Sequence, residues 1–269
     1  MTGRVRVADY LVERLYAAGV RTAFLLTGGG MMHLVDALGR RRGLKLVFNH
    51  HEHASAVGAE GYARQAGGLG ACFATSGPGA TNILTGLVEC WQDSVPVIFV
   101  TGQSKVSQTI QGSRLTGLRQ FGTFEVDIIP MVRSVTKYAA FVDHPSKIGP
   151  AIDAALAAAL AGRPGPVLLD IPVDIQGAPV ELATIPEAVG HPPLPLSPSH
   201  SDAGFVLRKL ATVKRPLILA GHGIRAAGAV ELFRGVLRRL NVPCVTTQLA
   251  ADVLQYKSPL FVGRPGVKG

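Results

Sequence analysis

The chain of 269 residues carries 27 Lys and Arg against 18 Asp and Glu, a net charge of +9, with 47% hydrophobic and 17% charged residues. That balance excludes a disordered chain and suffices for one large domain, or one domain and part of another, while 32 Gly and 18 Pro without a G-X-Y period exclude collagen. The basic residues are dispersed apart from Arg40-Arg41-Arg42 and Arg238-Arg239, which predicts a basic surface and no nucleic-acid groove.

At the N-terminal end, Asp9 and Glu13 stand where a signal peptide needs its apolar stretch, so secretion is not expected. Ala8, Leu11, Val12, Leu15 and Tyr16 recur at helical spacing before Gly19, which predicts a helix over 8–18. A short apolar run at 23–26 ends in Thr27-Gly28-Gly29-Gly30 and feeds a second helical stretch: strand, glycine turn, helix. The alternation repeats with a strand near 46–48, a helix from Glu52 to Ala66, a strand at 71–75, the turn Ser76-Gly77-Pro78-Gly79, a helix from Ala80 to Cys90 and a buried strand from Val95. Residues 103–125 are polar, Gly-rich and weakly periodic, as in a long loop over a site. A helix over 146–161 and a strand over 166–172 follow, and the whole order implies an α/β fold with a parallel sheet covered by helices on both faces.

Residues 1–180 are therefore expected to form one α/β domain and the Pro-rich stretch 181–200 a linker. A second unit over 201–269 reads as helix, strand, turn at Gly221-His222-Gly223, helix and strand, a partial Rossmann-like α/β domain. Two parallel strands with two helices leave sheet edges unpaired, so completion by another chain or segment, and an oligomer, are expected. The longest apolar runs, at 95–100 and 151–162, fall short of the roughly 18 residues a membrane span needs, so no membrane association is expected. Cys72, Cys90 and Cys244 are too scattered for a disulfide framework, which predicts a reducing, cytoplasmic setting.

Ligands of open α/β sheets bind beyond the carboxyl ends of the strands. There this sequence places Thr27-Gly28-Gly29-Gly30, Asn49-His50-His51-Glu52 and Thr75 through Asn82. The glycine turn suits a purely structural bend or the close approach of a flat ligand. Glu52, at a helix N-terminus, suits a dipole-stabilised capping acid or an acid in a water-poor cleft that shares a proton with a ligand nitrogen. The run His50-His51-Glu52-His53 lacks the spacing of a zinc motif, so no metal ligand is assigned. Thr27 to Met32 has no GxGxxG, which argues against a dinucleotide turn.

The segments NHHEH at 49–53, EGYAR at 60–64, TSGPGATNILTG at 75–86, WQDSVP at 91–96, TGQ at 101–103, SVTKYA at 134–139 and GRPGPVLLDIPVDIQ at 162–176 resemble the pyrimidine-binding domain of thiamine-diphosphate enzymes of the acetolactate synthase type. GHGI at 221–224 and FVGRPGVKG at 261–269 resemble the opening half of that family's central domain, which in some members holds FAD. The resemblance implies that Glu52 hydrogen-bonds the cofactor's pyrimidine N1′ and so promotes the C2 ylide. The ylide decarboxylates pyruvate or a similar 2-oxo acid and passes the acyl-anion unit to an acceptor carbonyl. By the same resemblance Gly28, Gly29, Thr75, Ser76, Gly77, Pro78 and Asn82 hold the pyrimidine and Gln103 stands at the rim of the site.

Phe124-Glu125 stands where relatives commonly show Gln-Glu, and His53 where Gln often follows the acid. No Gly-Asp-Gly followed by an Asn, the pattern that holds Mg2+ and the diphosphate, occurs in these residues. The implied protein is the pyrimidine-domain subunit of a split carboligase or decarboxylase, with diphosphate and Mg2+ held by a partner chain and FAD a lesser candidate. The alternative is a non-catalytic regulatory or structural subunit.

Overall fold

The computed structural model describes residues 3–181 and 200–266, and these divide into two compact units that part at Pro192 and Pro193. The expected linker therefore lies almost wholly outside the described residues.

The first unit runs β1 (Arg4–Arg6), α1 (Val7–Ala17), β2 (Thr22–Leu25), α2 (Met32–Arg40), β3 (Lys45–Phe48), α3 (Glu52–Ala66), β4 (Gly70–Ala74), α4 (Pro78–Asn82), α5 (Leu84–Asp93) and β5 (Val97–Gln103). It continues with α6 (Ile110–Ser113), α7 (Ile128–Val132), β6 (Tyr138–Phe141), α8 (Ile148–Leu160), β7 (Val167–Pro172), α9 (Val173–Gly177) and β8 (Pro179–Glu181). Six strands form a parallel sheet in the order β3-β2-β4-β5-β7-β6. The three strands β4, β5 and β7 are buried along their whole length, as strands covered on both faces must be.

Strand alternation sorts their side chains into two cores. Phe73, Ile98, Val100, Leu169 and Ile171 join the apolar stripes of α1, α2 and α8, while Cys72, Val97, Phe99 and Leu168 join those of α3, α5 and α7. In α1 the stripe is Val7, Ala8, Leu11, Val12 and Leu15, all buried. Helix α3 begins after His51, whose side chain accepts the His53 N–H, and stops at Gly67, whose φ of 71° closes the last turn at little cost.

The stretch expected as one helix over 80–90 is two. Pro78 starts the first earlier, its fixed φ and missing N–H being harmless in the opening turn, and Ile83 interrupts the run. Strand β6 and the antiparallel pair β1 with β8 carry no periodicity that short apolar patterning could reveal. Within 103–125 a 3₁₀ turn over Val106–Gln108 and α6 are the ordered pieces.

The second unit contains α10 (His200–Thr212), β9 (Ile218–Ala220), α11 (Gly223–Ala226), α12 (Val230–Leu240), β10 (Cys244–Thr246) and β11 (Phe261–Gly263). Its sheet has three parallel strands in the order β11-β10-β9, one more than the two expected, because Phe261–Gly263 pairs with β10. Its core is small: Ala220, Leu237, Cys244 and Leu254, with Phe233, Ile224 and Phe261 packed against them.

Candidate functional site

The carboxyl ends of β2, β3, β4 and β5 open into the turns that carry the candidate residues. Glu52 is the first residue of α3 and is only 7% exposed. Its Oε2 accepts a hydrogen bond of 2.9 Å from Asn82 Nδ2, while Oε1 receives none among the described residues. A helix N-terminus lowers the cost of a buried carboxylate, and one committed oxygen fixes its rotamer while the other stays available.

Glycines bring the turns against this acid. A Cβ on Gly79 would stand 3.1 Å from Glu52 Oε1 and 2.7 Å from Thr75 Cγ2, and one on Gly28 would stand 2.5 Å from Thr75 Cβ. Thr75 Oγ1 accepts the Gly30 N–H at 3.1 Å, tying the first glycine turn to the third. Gly77, at φ 60°, meets the Phe124 carbonyl so closely that a Cβ would be 2.2 Å from that oxygen. Glu52, Thr75, Gly79 and Asn82 are thus drawn into one group.

A cleft of about 490 Å³ lies beside it, within the size range of small-molecule sites. It is lined by Gly29 and Gly30, by Thr75, Ser76 and Pro78, by Gln103 through Lys105 with Gln108, and by Thr123, Phe124 and Val173. Of the expected site residues, Gly29, Thr75, Ser76, Pro78 and Gln103 border this cleft, while Glu52, Gly28, Gly77 and Asn82 do not.

Gln103 presents no free amide to a ligand. Its Nε2 donates to Val126 O at 2.8 Å and Asp170 Oδ2 at 3.1 Å, and its Oε1 accepts from Ser104 N at 2.9 Å. Its place is that of a clamp between the sheet and the loop over the cleft. Asp170, within β7, also accepts from the Thr101 hydroxyl at 2.7 Å. Burial pushes this carboxyl up to about 7 against the opposing effect of its two hydrogen bonds, and the charges of Asp127 and Glu125 push the same way. Asp170 was missed from the sequence, although a lone acid inside the apolar run PVLLDIP was a usable signal. Gln176 was missed too: fully buried, it donates to Gly30 O and Ile171 O, each at 2.7 Å, and so holds the glycine turn from below.

Two features shape the rim. Glu125 is buried and accepts from the backbone N–H groups of Ile110, Phe121 and Gly122, which pins the loop. Next to it Phe124 has φ 57° and is 65% exposed. A bulky side chain in the left-handed region costs on the order of 1–3 kcal/mol, and such strain concentrates at sites of function. Cys72 lies behind the site, its thiol pushed up by burial and by the charge of Glu52, so it stays protonated and inert.

The donor set fits the aminopyrimidine end of a thiamine cofactor: a buried carboxylate with one uncommitted oxygen beside turns whose glycines admit close approach. No group of three or more His, Cys, Asp or Glu able to hold a metal occurs among the described residues. No helix there is long and apolar enough to cross a membrane.

Residues 5–140 match the family described as thiamine pyrophosphate enzyme, N-terminal TPP binding domain, and residues 205–269 match the central domain of the same enzymes. The chain is 35% identical over 266 residues to the acetolactate synthase isozyme 2 large subunit of Escherichia coli, covering 97% of this chain and 45% of that protein. It is 36% identical over 270 residues to acetolactate synthase 1, chloroplastic, of Zea mays, covering 97% of this chain and 40% of that one. The acetolactate synthase large subunit of Corynebacterium glutamicum is 33% identical over 267 residues. The chain thus spans less than half the length of these curated relatives. The first family match covers half of the chain, the buried acid and strands β2 to β5 of the sheet, and the chain belongs to the thiamine pyrophosphate enzymes.

Proposed function

We propose that this chain supplies the aminopyrimidine-activating half of a carboligase or 2-oxo acid decarboxylase of the acetolactate synthase type, a transferase or lyase acting on pyruvate or a similar acid. In this reading residues 1–180 are the pyrimidine-binding domain, 181–200 a linker and 201–269 part of the central domain. A partner segment or chain holds the diphosphate and Mg2+, in a heteromer of the cytoplasm.

The observation that carries the proposal is the Glu52 carboxylate, buried and held by Asn82 through one oxygen while the other receives no hydrogen bond among the described residues. Bound thiamine diphosphate supplies the electron sink on which a 2-oxo acid loses carbon dioxide and its acyl unit moves to an acceptor carbonyl. Glu52 Oε1 is the atom that exchanges a proton with the ring nitrogen of the aminopyrimidine. Asn82 keeps the carboxylate from rotating away, and Gly79 and Gly28, lacking a Cβ, let their turns pack directly against Thr75 beside it.

The test pairs this chain with a polypeptide that carries a Gly-Asp-Gly and Asn domain and measures pyruvate consumption. Glu52→Gln is expected to lower the rate by about 100-fold or more, the range of lost acid and base catalysis. An unchanged rate would sink the proposal in favour of a regulatory or structural subunit. For flavin, the candidate position is the carboxyl end of β9 and β10, where His222 Nδ1 and Thr246 Oγ1 are buried without hydrogen-bond partners among the described residues. A yellow complex supports it and a colourless one removes it.

A further inference from the structure

We infer that the cleft beside the acid is a subsite for a carboxylate-bearing molecule with an aromatic substituent, and that Lys105 and Phe124 select it. That this molecule is the acceptor in the reaction rests on the function proposed above; that the cleft binds it does not.

Charge is the first ground. Of the residues lining the cleft Lys105 alone is charged. It forms no ion pair among the described residues. Asp174 accepts from the backbone N–H groups of Val106 and Ile175, and Glu125 from those of Ile110, Phe121 and Gly122. An ammonium without an ion-pair partner among the described residues, the one charged group lining a concave site, favours a small anion.

Shape is the second ground. The Phe124 ring stands exposed on the same wall, on a backbone held in the left-handed region by Gly77 below it and Glu125 beside it. Strain of this kind persists only where the surroundings impose it, and here the imposed result is an apolar ring facing a cleft. The two side chains leave from adjoining points of the rim. Ser104 Oγ donates to Thr123 O at 3.0 Å, so Lys105 and Phe124 each lie one residue beyond a shared hydrogen bond. One ligand can then meet the ammonium with its carboxylate and the ring with its apolar part. The cleft, about 490 Å³, has room for more than a three-carbon acid.

The test titrates the full chain, without cofactor or partner, with phenylpyruvate, pyruvate and benzaldehyde, followed by saturation-transfer difference NMR. Phenylpyruvate is expected to bind most tightly. Lys105→Met should weaken phenylpyruvate at least fivefold and leave benzaldehyde unchanged, whereas Phe124→Ala should weaken phenylpyruvate and benzaldehyde and leave pyruvate unchanged. Absence of saturable binding, or an affinity for phenylpyruvate untouched by Lys105→Met, overturns the inference. Both side chains are exposed, and an unchanged circular dichroism spectrum confirms that each variant is folded. A negative titration leaves the role of Glu52 standing, and an unchanged rate in Glu52→Gln leaves the subsite standing.

Discussion

The two units use the same parallel β and α alternation and bury it very differently. In the first, each central strand feeds one core on either face, and Phe73 and Phe99 sit fully buried on opposite sides of the sheet. In the second, one small core lies under three short strands, while Leu217, Leu219 and Val262 remain exposed. Apolar burial contributes roughly 25 cal/mol per Å², so a sheet packed on both faces has the means to hold a strained loop and a buried acid at its edge. The candidate site sits on the unit with that surplus.

The comparison breaks most readily in the doubly covered sheet. Phe99→Ala is expected to destabilise the first unit by about 3–5 kcal/mol, read from denaturant unfolding followed by circular dichroism. A loss below about 1 kcal/mol would show that the core on that face is loosely packed.

A smaller effect comes from Asp170. Its folded-state pKa of about 7 lies above the ordinary 3.8, so the folded state binds the extra proton between those values. The resulting stability is fully present below the ordinary value and is lost progressively as pH rises from there through about 7. Asp170→Asn should flatten this dependence, and an unaltered slope in the variant would assign the pH response to other groups. Asn keeps one acceptor for Thr101 or Gln103, so the loop clamp weakens without vanishing.

The smallest effect is expected in the second unit. Leu219→Ser, at a residue 60% exposed on an edge strand, should change stability by no more than about 0.5 kcal/mol. A loss several times larger would mean that this face is covered in solution, and the contrast between the units would narrow.

Much of the fold was legible because β4, β5 and β7 are short apolar runs punctuated by glycine and proline, with α1 and α3 carrying their stripes and stops in plain view. Glu52 and its turns were legible through motif resemblance, since local spacing alone left a capping acid equally open. The Gln103 amide was another matter: its three hydrogen bonds join residues up to 67 positions apart, and no local pattern encodes them.

Local pattern thus determined the order of strands and helices, the glycine turns and the position of the acid at the head of α3, because periodicity and backbone freedom act over a few residues. Tertiary structure alone decided that Oε2 of Glu52 is taken by Asn82, that Asp170 is buried under the loop, and that Phe124 and Lys105 share a rim. Each of those outcomes depends on which distant segments exclude water together, and that is settled only when the sheet has closed and both its faces are packed.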